Sequence, residues 1–157
     1  MTDLTHVDAA GRPRMVDVGE KAVTKRSATA EGFLSLSPAA RAAVASRANR
    51  KGDVAFTAEL AGIQGAKRTA DLIPLCHPLA LDAVEVAVEL VDDRLRVVAT
   101  ARTEGRTGVE MEALCAVNAA LLTAYDMLKA VDRALELGPI RLVAKAGGRS
   151  GDWVRPG

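Results

Sequence analysis

Apolar and polar residues alternate along several segments of the chain, which is the pattern of strands with one buried face. Residues 82–90 alternate cleanly, and residues 94–102 do so again after an Asp-Asp turn, which predicts a β-hairpin. Residues 25–36 and 140–146 alternate less regularly and predict two further strands.

Helical spacing fills the intervals between these strands. An alanine-rich helix is predicted over residues 38–48, because Ser37 is a good N-cap and proline follows it at the first helical position. A second helix is expected over residues 53–72. A long helix is expected over residues 108–135, where apolar residues recur every three or four positions, and a Gly-Pro pair ends it.

The long helix also carries a row of small residues at Ala113, Ala116, Ala120 and Ala124. Aromatic residues make up only 3% of the chain, so alanine and valine have to fill much of the core. This composition predicts close packing between elements, and together with the alanine row it predicts a stable oligomer.

The order of elements is strand, helix pair, strand, strand, helix, strand. This order is that of the ferredoxin-like, split βαβ fold, an α+β sandwich with an antiparallel sheet and its helices on one face. One domain over residues 1–157 is predicted, with a short extended arm at residues 1–23 and a glycine-rich tail at residues 147–157.

Charge and composition exclude several classes of protein. The 157 residues carry a net charge of +1, which argues against a general binder of nucleic acid or membrane surfaces. The longest stretch without a charge, residues 113–125, is too short to span a bilayer. The first thirty residues have no apolar leader, and the two cysteines form no disulfide framework, so a cytoplasmic protein is expected.

Four segments carry reactive side chains where a core has no use for them. They are residues 51–53, residues 66–78 around His77, residues 108–112, and residues 125–129 with Asp126 and Lys129 on one helical face. Each segment also has a plain structural explanation, since charged residues cap helix ends, complement helix dipoles and form surface ion pairs. The functional alternative is an anion site with a base and ammonium groups nearby.

A zinc site involving Cys76, His77, Cys115, Glu110 and Glu112 is a weaker alternative. None of the ligand spacings typical of zinc sites is present, so no metal is predicted. RNA binding by the sheet is also disfavoured, because the strands offer no set of stacking aromatic residues.

At these segments the sequence resembles the molybdenum cofactor biosynthesis protein C family, the cyclic pyranopterin monophosphate synthases. The resemblance covers nearly the whole chain in register, and the Leu-Cys-His-Pro and Glu-Met-Glu blocks are its most specific parts. The matching stretches are residues 4–7, 15–18, 51–54, 61–64, 67–69, 71–78, 108–114 and 125–131, with the glycine-rich tail. In that tail, Arg149 stands where lysine is common in the family.

The resemblance implies a lyase that converts 3′,8-cyclo-7,8-dihydro-GTP to cyclic pyranopterin monophosphate and releases pyrophosphate. It implies a homohexamer, a trimer of dimers with each active site at a dimer interface, working after the radical enzyme that makes its substrate. No cofactor is expected, and assistance by Mg²⁺ to the leaving pyrophosphate is left open. A non-catalytic regulatory module that binds nucleoside triphosphates on the same fold is the alternative.

The resemblance also implies roles for individual residues. Asp126 would be the catalytic acid or base, and Lys51 and Lys129 the essential ammonium groups. The implied substrate-binding residues are Leu75, Cys76, His77, Glu110, Met111 and Glu112, with Lys67, Arg68, Lys21 and Arg26 as weaker candidates for phosphate contacts.

Overall fold

Strands and helices follow one another in the order predicted from the sequence. The computed structural model describes residues 6–8, 10–46 and 52–157. The elements are β1 (Thr24–Ser35), α1 (Pro38–Ala45), α2 (Val54–Lys67), α3 (Thr69–Leu72), β2 (Ala83–Val91), β3 (Arg94–Gly105), α4 (Glu110–Leu128), β4 (Leu137–Ala146) and β5 (Trp153–Val154).

One five-stranded sheet organises the chain, in the order β2-β3-β1-β4-β5 with every neighbouring pair antiparallel. Its first four strands have the ferredoxin-like order, and α2 and α4 pack against it. The predicted α+β fold class is therefore confirmed. The short β5 extends the sheet beyond β4 and was not predicted.

The core lies between this sheet and α4, and it is built largely from small side chains. β1 contributes Ala28, Ala30 and Leu34, all essentially inaccessible to solvent. Helix and sheet approach closely because glycine stands at the contact: a Cβ on Gly32 would lie 2.6 Å from the Val117 Cγ1 atom. The prediction of close packing, made from the scarcity of aromatic residues, agrees with this geometry.

The alanine row of α4 belongs to this core. Ala113, Ala116, Ala120 and Ala124 are each 0% exposed within the single chain. The row therefore packs inside the protomer. These alanines give no support to the predicted oligomer, because none of them is exposed for contact with a second chain.

Two helix boundaries differ from the predictions. The second helix is interrupted at Arg68, where the Thr69 hydroxyl donates to the Ala66 carbonyl at 2.9 Å and competes with the backbone. α4 ends at Leu128 rather than near residue 135, and the Asp132 carboxylate accepts from the Ala134 N–H at 2.8 Å in the turn that follows. The Gly-Pro pair at 138–139 does not end a helix, because it lies inside β4.

The sheet face opposite the helices carries a charged cluster. The Glu31 side chain, only 9% exposed, accepts from Arg96 of β3 and from Arg141 of β4. The four nitrogen–oxygen distances lie between 2.7 and 3.1 Å. Each guanidinium donates two N–H groups to one oxygen of the carboxylate, Arg96 to Oε2 and Arg141 to Oε1. Hydrogen bonds between charged groups are stronger than neutral ones, so this cluster ties three neighbouring strands together.

One edge of the sheet is covered by a side chain. β2 lies at the end of the strand order, and the Val88 N–H donates to the Glu59 carboxylate of α2 at 3.1 Å.

By length and composition alone, α4 could cross a membrane. In the fold it is the central core helix, with ten of its residues buried, among them Val117, Leu121 and Leu128.

Candidate active site

A cavity of about 290 Å³ opens beside the first turn of α4. Its wall is formed by the N-terminal arm, the start of β1, the loop before β2, and residues 106–112. Eight of the residues assigned by resemblance line it: Lys21, Arg26, Leu75, Cys76, His77, Glu110, Met111 and Glu112. Side chains from four separate segments thus meet in one place.

The loop that presents Leu75, Cys76 and His77 is stiffened by prolines on both sides. Residues that precede proline avoid the helical region, and Ile73, which precedes Pro74, is extended at φ −111° and ψ 106°. The Cys76 N–H donates to the Ile73 carbonyl at 3.1 Å and closes a turn.

His77 joins this loop to the arm. Its Nε2 atom lies 2.8 Å from the Val16 carbonyl oxygen. Because a carbonyl only accepts, Nε2 must carry the hydrogen, which leaves Nδ1 as the nitrogen available to another partner.

The first turn of α4 brings carboxyl groups to the cavity. The N-cap, Val109, has no side-chain hydrogen bond. Glu112 is 4% exposed, and burial raises the pKa of its carboxyl, with the charge of Glu110 acting in the same direction. Burial at this position therefore disfavours the charged form of the Glu112 carboxyl relative to that of an exposed glutamate.

Cys76 is a weak candidate for a nucleophile. Burial raises the pKa of its thiol, and the charge of Glu112 raises it further. Since the thiolate is the reactive form, Cys76 is suited to packing against a ligand rather than attacking it.

Basic side chains reach the same cavity from the arm, from β1 and from the residues before α4. Lys21, Arg26 and Arg106 line it, and the Arg26 guanidinium is held by a 2.9 Å hydrogen bond from Nε to the Gly105 carbonyl. The glycine-rich tail packs beside Arg26, since a Cβ on Gly148 would lie 2.2 Å from its Nη1 atom. Arg149 is exposed in that tail and lies outside the cavity wall.

Several lining residues were given no role in the sequence analysis, although four of them lie in the stretches that match the family. They are His6, Val16, Val18, Leu79, Arg106, Thr107 and Gly108. The Thr107 hydroxyl oxygen is buried without a hydrogen-bond partner among the described residues. The signal for Arg106 and Thr107 was their place directly before a predicted helix start. No local pattern marks His6 as a cavity residue.

A smaller cavity of about 120 Å³ adjoins the first and shares His77 and Glu112 with it. Lys67 lines this second cavity. Arg68 lines neither, because its side chain is exposed and pairs with Asp71 at 3.2 Å.

Asp126 and Lys129 lie at the other end of α4. The Lys129 Nζ atom is 2.6 Å from the Asp126 Oδ1 atom, and both side chains are about half exposed. Sixteen residues of helix separate Asp126 from Glu110, which is about 24 Å along the axis. Within one chain, therefore, this pair cannot touch a ligand in the cavity.

The remaining residue with a predicted catalytic role, Lys51, lies outside the described residues. Asp53, which follows it closely, caps α2 by accepting from the Phe56 N–H at 3.1 Å. Across the described ranges, no three His, Cys, Asp or Glu side chains cluster closely enough to hold a metal ion.

Comparison with known proteins gives full-length matches. Residues 15–148 match the model of the MoaC family. A protein of Chloroflexus aurantiacus is 54% identical over 156 residues, covering 98% of this chain and 96% of its own, and one of Roseiflexus sp. (strain RS-1) is 54% identical, covering 98% and 99%. One of Novosphingobium aromaticivorans is 56% identical over 153 residues, covering 98% of each. All three are named cyclic pyranopterin monophosphate synthase.

Proposed function

The chain belongs to the MoaC family, and on that premise we propose that it acts as a cyclic pyranopterin monophosphate synthase. It is a lyase of molybdenum cofactor biosynthesis that takes a GTP-derived substrate, 3′,8-cyclo-7,8-dihydro-GTP, and releases pyrophosphate. The observation that carries this proposal is the meeting of basic and carboxyl side chains in one cavity formed by the segments that the family resemblance singles out.

The cavity chemistry suits the two ends of such a substrate. Lys21, Arg26 and Arg106 supply the positive charge that a triphosphate requires. The buried Glu112 carboxyl can hydrogen-bond to the edge of the purine-derived ring. Leu75 and Met111 add apolar contacts for the ring faces.

Closing the cyclic phosphate is an intramolecular phosphoryl transfer. A sugar hydroxyl oxygen attacks the α-phosphorus, the bond from that phosphorus to the bridging oxygen breaks, and pyrophosphate leaves. Positioning and charge neutralisation carry most of such a step, and the attacking hydroxyl must lose its proton. We assign proton transfer to Asp126 with Lys51 and Lys129, and phosphate contacts to Lys21, Arg26, Lys67 and Arg106. Arg68 has no part in the cavity of this chain.

The acid–base residues and the cavity meet in our proposal only when two chains associate. About 24 Å of rigid helix separates Asp126 from the cavity. α2 runs antiparallel to α4, since Gly65 contacts Cys115 and Ala119 while Lys67 shares a cavity with Glu112. The start of α2 therefore lies toward the Asp126 end, and in our proposal Lys51, which precedes α2 in the sequence, acts with Asp126.

That end of the helix pair is unusually apolar for a surface. Phe56, Leu60 and Leu122 are 62%, 53% and 58% exposed on α2 and α4. Exposed apolar clusters beside polar residues are typical of protein interfaces. We infer that this surface meets the cavity side of a second copy, in a homohexamer built as a trimer of dimers.

Further expectations complete the proposal. The enzyme works in the cytoplasm, downstream of the radical enzyme that makes its substrate, and it needs no cofactor. We expect elemental analysis of the purified protein to find no stoichiometric zinc, and turnover to survive chelation.

A coupled assay tests the proposed reaction. Purified protein is supplied with 3′,8-cyclo-7,8-dihydro-GTP, and cyclic pyranopterin monophosphate and pyrophosphate are measured. Both products should appear in equal amounts. Binding of the substrate without either product would favour a regulatory nucleotide-binding module instead.

Complementation tests the shared site. A His77→Ala chain and an Asp126→Asn chain carry lesions at opposite ends of α4, so each should be nearly inactive alone. In a mixed dimer one site collects both lesions and the other is intact, so free mixing of equal amounts should restore about a quarter of wild-type turnover. Mixing Lys51→Ala with Asp126→Asn should restore little, because both changes affect the same half of each site. Failure of the first mixture to recover would contradict the shared site.

A further inference from the structure

The N-terminal arm forms part of the cavity wall. His6, Val16, Val18 and Lys21 all line the cavity, and the basic or titratable side chains that the arm contributes are His6 and Lys21. The arm is tied to the loop before β2 by the hydrogen bond between His77 Nε2 and the Val16 carbonyl. This hydrogen bond fixes the arm against His77, which lines the cavity.

His6 is held in place by a small hairpin. Its carbonyl accepts from the Arg14 N–H at 2.9 Å, and Val7 pairs with Pro13 as an isolated antiparallel bridge. The two sides of the hairpin are therefore held together by backbone contacts at His6 and at Val7.

Asp8 closes the turn of that hairpin. Its carboxylate accepts from the Ala10 and Arg12 N–H groups at 2.9 Å and from the Arg12 Nε atom at 3.0 Å. The hydrogen bond with the Arg12 backbone lowers the pKa of Asp8, so the carboxylate is charged at neutral pH. Aspartate commonly stabilises turns by accepting backbone hydrogens in this way.

The His6 ring is exposed at the cavity, and no described residue hydrogen-bonds to its nitrogens. The carboxyl groups Glu110 and Glu112 enter from α4, with Arg106 just before it. The described residues of the arm and β1 that line the cavity include His6, Lys21 and Arg26 and no carboxylate. An anionic part of the ligand is therefore drawn toward the side on which His6 stands.

We propose that His6 is a further substrate-binding residue that contacts the phosphate chain, and that Asp8 is a positioning residue that acts by holding the His6 hairpin. This inference rests on the proposed function for the identity of the substrate. The hairpin itself is independent of that identity.

The test uses the full-length protein and the variants His6→Ala, Asp8→Ala and the double variant. Steady-state kinetics with 3′,8-cyclo-7,8-dihydro-GTP and calorimetric titration with inorganic pyrophosphate are both measured. Arg14→Gln is the matched control, because Arg14 lies on the same hairpin and carries a positive charge but does not line the cavity.

We expect His6→Ala to raise KM about tenfold, since a hydrogen bond to a charged group is lost, with kcat within about twofold of wild type. The Kd for pyrophosphate should rise by a similar factor. Asp8→Ala should reproduce both effects, and the double variant should be no worse than either single one, because both changes remove the same contact. Arg14→Gln should leave both values within about twofold.

An unchanged KM and pyrophosphate Kd in His6→Ala would overturn the proposal, as would an equal loss in Arg14→Gln, which would mean that charge alone matters. If wild-type protein makes no product, the proposed reaction fails. The pyrophosphate titration still decides the role of His6: weaker binding by His6→Ala supports it, and equal or absent binding by both proteins rejects it. Both residues lie outside the sheet and core, and thermal unfolding confirms that each variant is folded.

Discussion

Asp126 and Lys129 form an ion pair that contributes little to the stability of the fold. The pair is short, at 2.6 Å, but both side chains are about half exposed. Exposed pairs of this kind contribute at most about 1 kcal/mol to stability. If removing the Asp126 charge lowers turnover strongly, the loss would therefore reflect a role in catalysis rather than in folding.

Asp126→Asn should leave the free energy of unfolding within about 0.5 kcal/mol of wild type and lower turnover at least about 100-fold, the usual scale for a lost acid or base. The coupled assay and urea denaturation measure the two quantities. Glu85→Gln is the matched control, because Glu85 makes an exposed 2.7 Å pair with Arg102 away from the site. Near wild-type turnover in Asp126→Asn would move the search for the base to Glu112 or His77.

The charge of Glu31, in contrast to that of Asp126, is expected to stabilise the fold rather than to serve catalysis. Hydrogen bonds from Arg141 and Arg96 outweigh the effect of burial and hold the pKa of its carboxyl below the ordinary value. Glu31→Gln keeps the shape but leaves two guanidinium groups facing a neutral amide. We expect a loss of about 2 kcal/mol in the free energy of unfolding at pH 7, measured by urea denaturation.

The pH dependence of this loss follows from the lowered pKa of Glu31 in the folded state. The carboxylate stabilises the fold fully above the pKa of the unfolded chain, which is about 4.3. That contribution disappears as the pH falls through the lower, folded pKa. The stability difference between wild type and Glu31→Gln should therefore shrink below about pH 4. A difference that stays constant to pH 3 would count against the ion cluster as its source.

The sequence analysis predicted His77 and Glu112 as site residues, but it did not predict the structural role of Glu31. Alternation along β1 puts Glu31 on the face away from the helices, where a glutamate is expected to be solvated. Its partners lie 65 and 110 residues further along the chain. Only the strand order brings them together, and no local pattern contains that information.

At the scale of elements, the contact between α2 and α4 depends on the absence of a side chain. A Cβ on Gly65 would lie 2.5 Å from the Ala119 Cβ atom and 2.9 Å from the Cys115 carbonyl oxygen. One obstacle is backbone, so the helices would have to separate. A mid-helix glycine would otherwise be a position at which alanine helps by about 1 kcal/mol.

Gly65→Ala should therefore destabilise the chain by about 2 kcal/mol net of that helix preference, as judged by urea denaturation. Gln64→Ala, at the exposed neighbouring position of the same helix, should change stability by less than about 0.5 kcal/mol. A Gly65→Ala protein more stable than wild type would mean that the two helices have room to adjust.

The elements themselves were largely predictable, because their periodicities are regular and their N-caps obey simple rules. Ser37 and Asp53 cap α1 and α2 as expected. The end of α4 was not predictable from periodicity, since apolar residues continue at Val131 and the buried Leu135. The turn beyond Leu128 is instead fixed by backbone and Asp132 hydrogen bonds, which compete with one more helical turn.

At the scale of the molecule, the proposed shared site makes an exposed leucine important for activity. Leu122→Asp puts a charge in the middle of the apolar surface beside Asp126, so the chain should fold but fail to associate there. Light scattering should report a lower mass, and turnover should fall at least about tenfold.

Val154→Asp is the control for Leu122→Asp. Val154 is 71% exposed on β5, a strand that is not part of the helix pair, so a charge there should change neither mass nor turnover. An unchanged mass and turnover in Leu122→Asp would reject this surface as the interface next to the site.

Sequence reasoning predicted one chain's fold better than it predicted an assembled site. The resemblance named cavity residues and acid–base residues together, although the helix predicted over residues 108–135 already holds Glu110 and Asp126 sixteen residues apart. The alanine row is no evidence for assembly, because its small residues pack closely within the chain. The residues that support assembly, Phe56, Leu60 and Leu122, became visible only once the helices were placed.

The contact between Glu59 and the Val88 N–H bears on how the protein survives concentration and storage. An outer strand with free amide hydrogens is a template on which further strands can add, and addition repeated from chain to chain gives fibrils. A carboxylate already seated on one such hydrogen blocks that growth, and its charge repels an approaching carbonyl row. Replacing Glu59 with alanine would remove the carboxylate that occupies this edge, so slow gelation on standing is the form in which we expect a Glu59→Ala protein to fail.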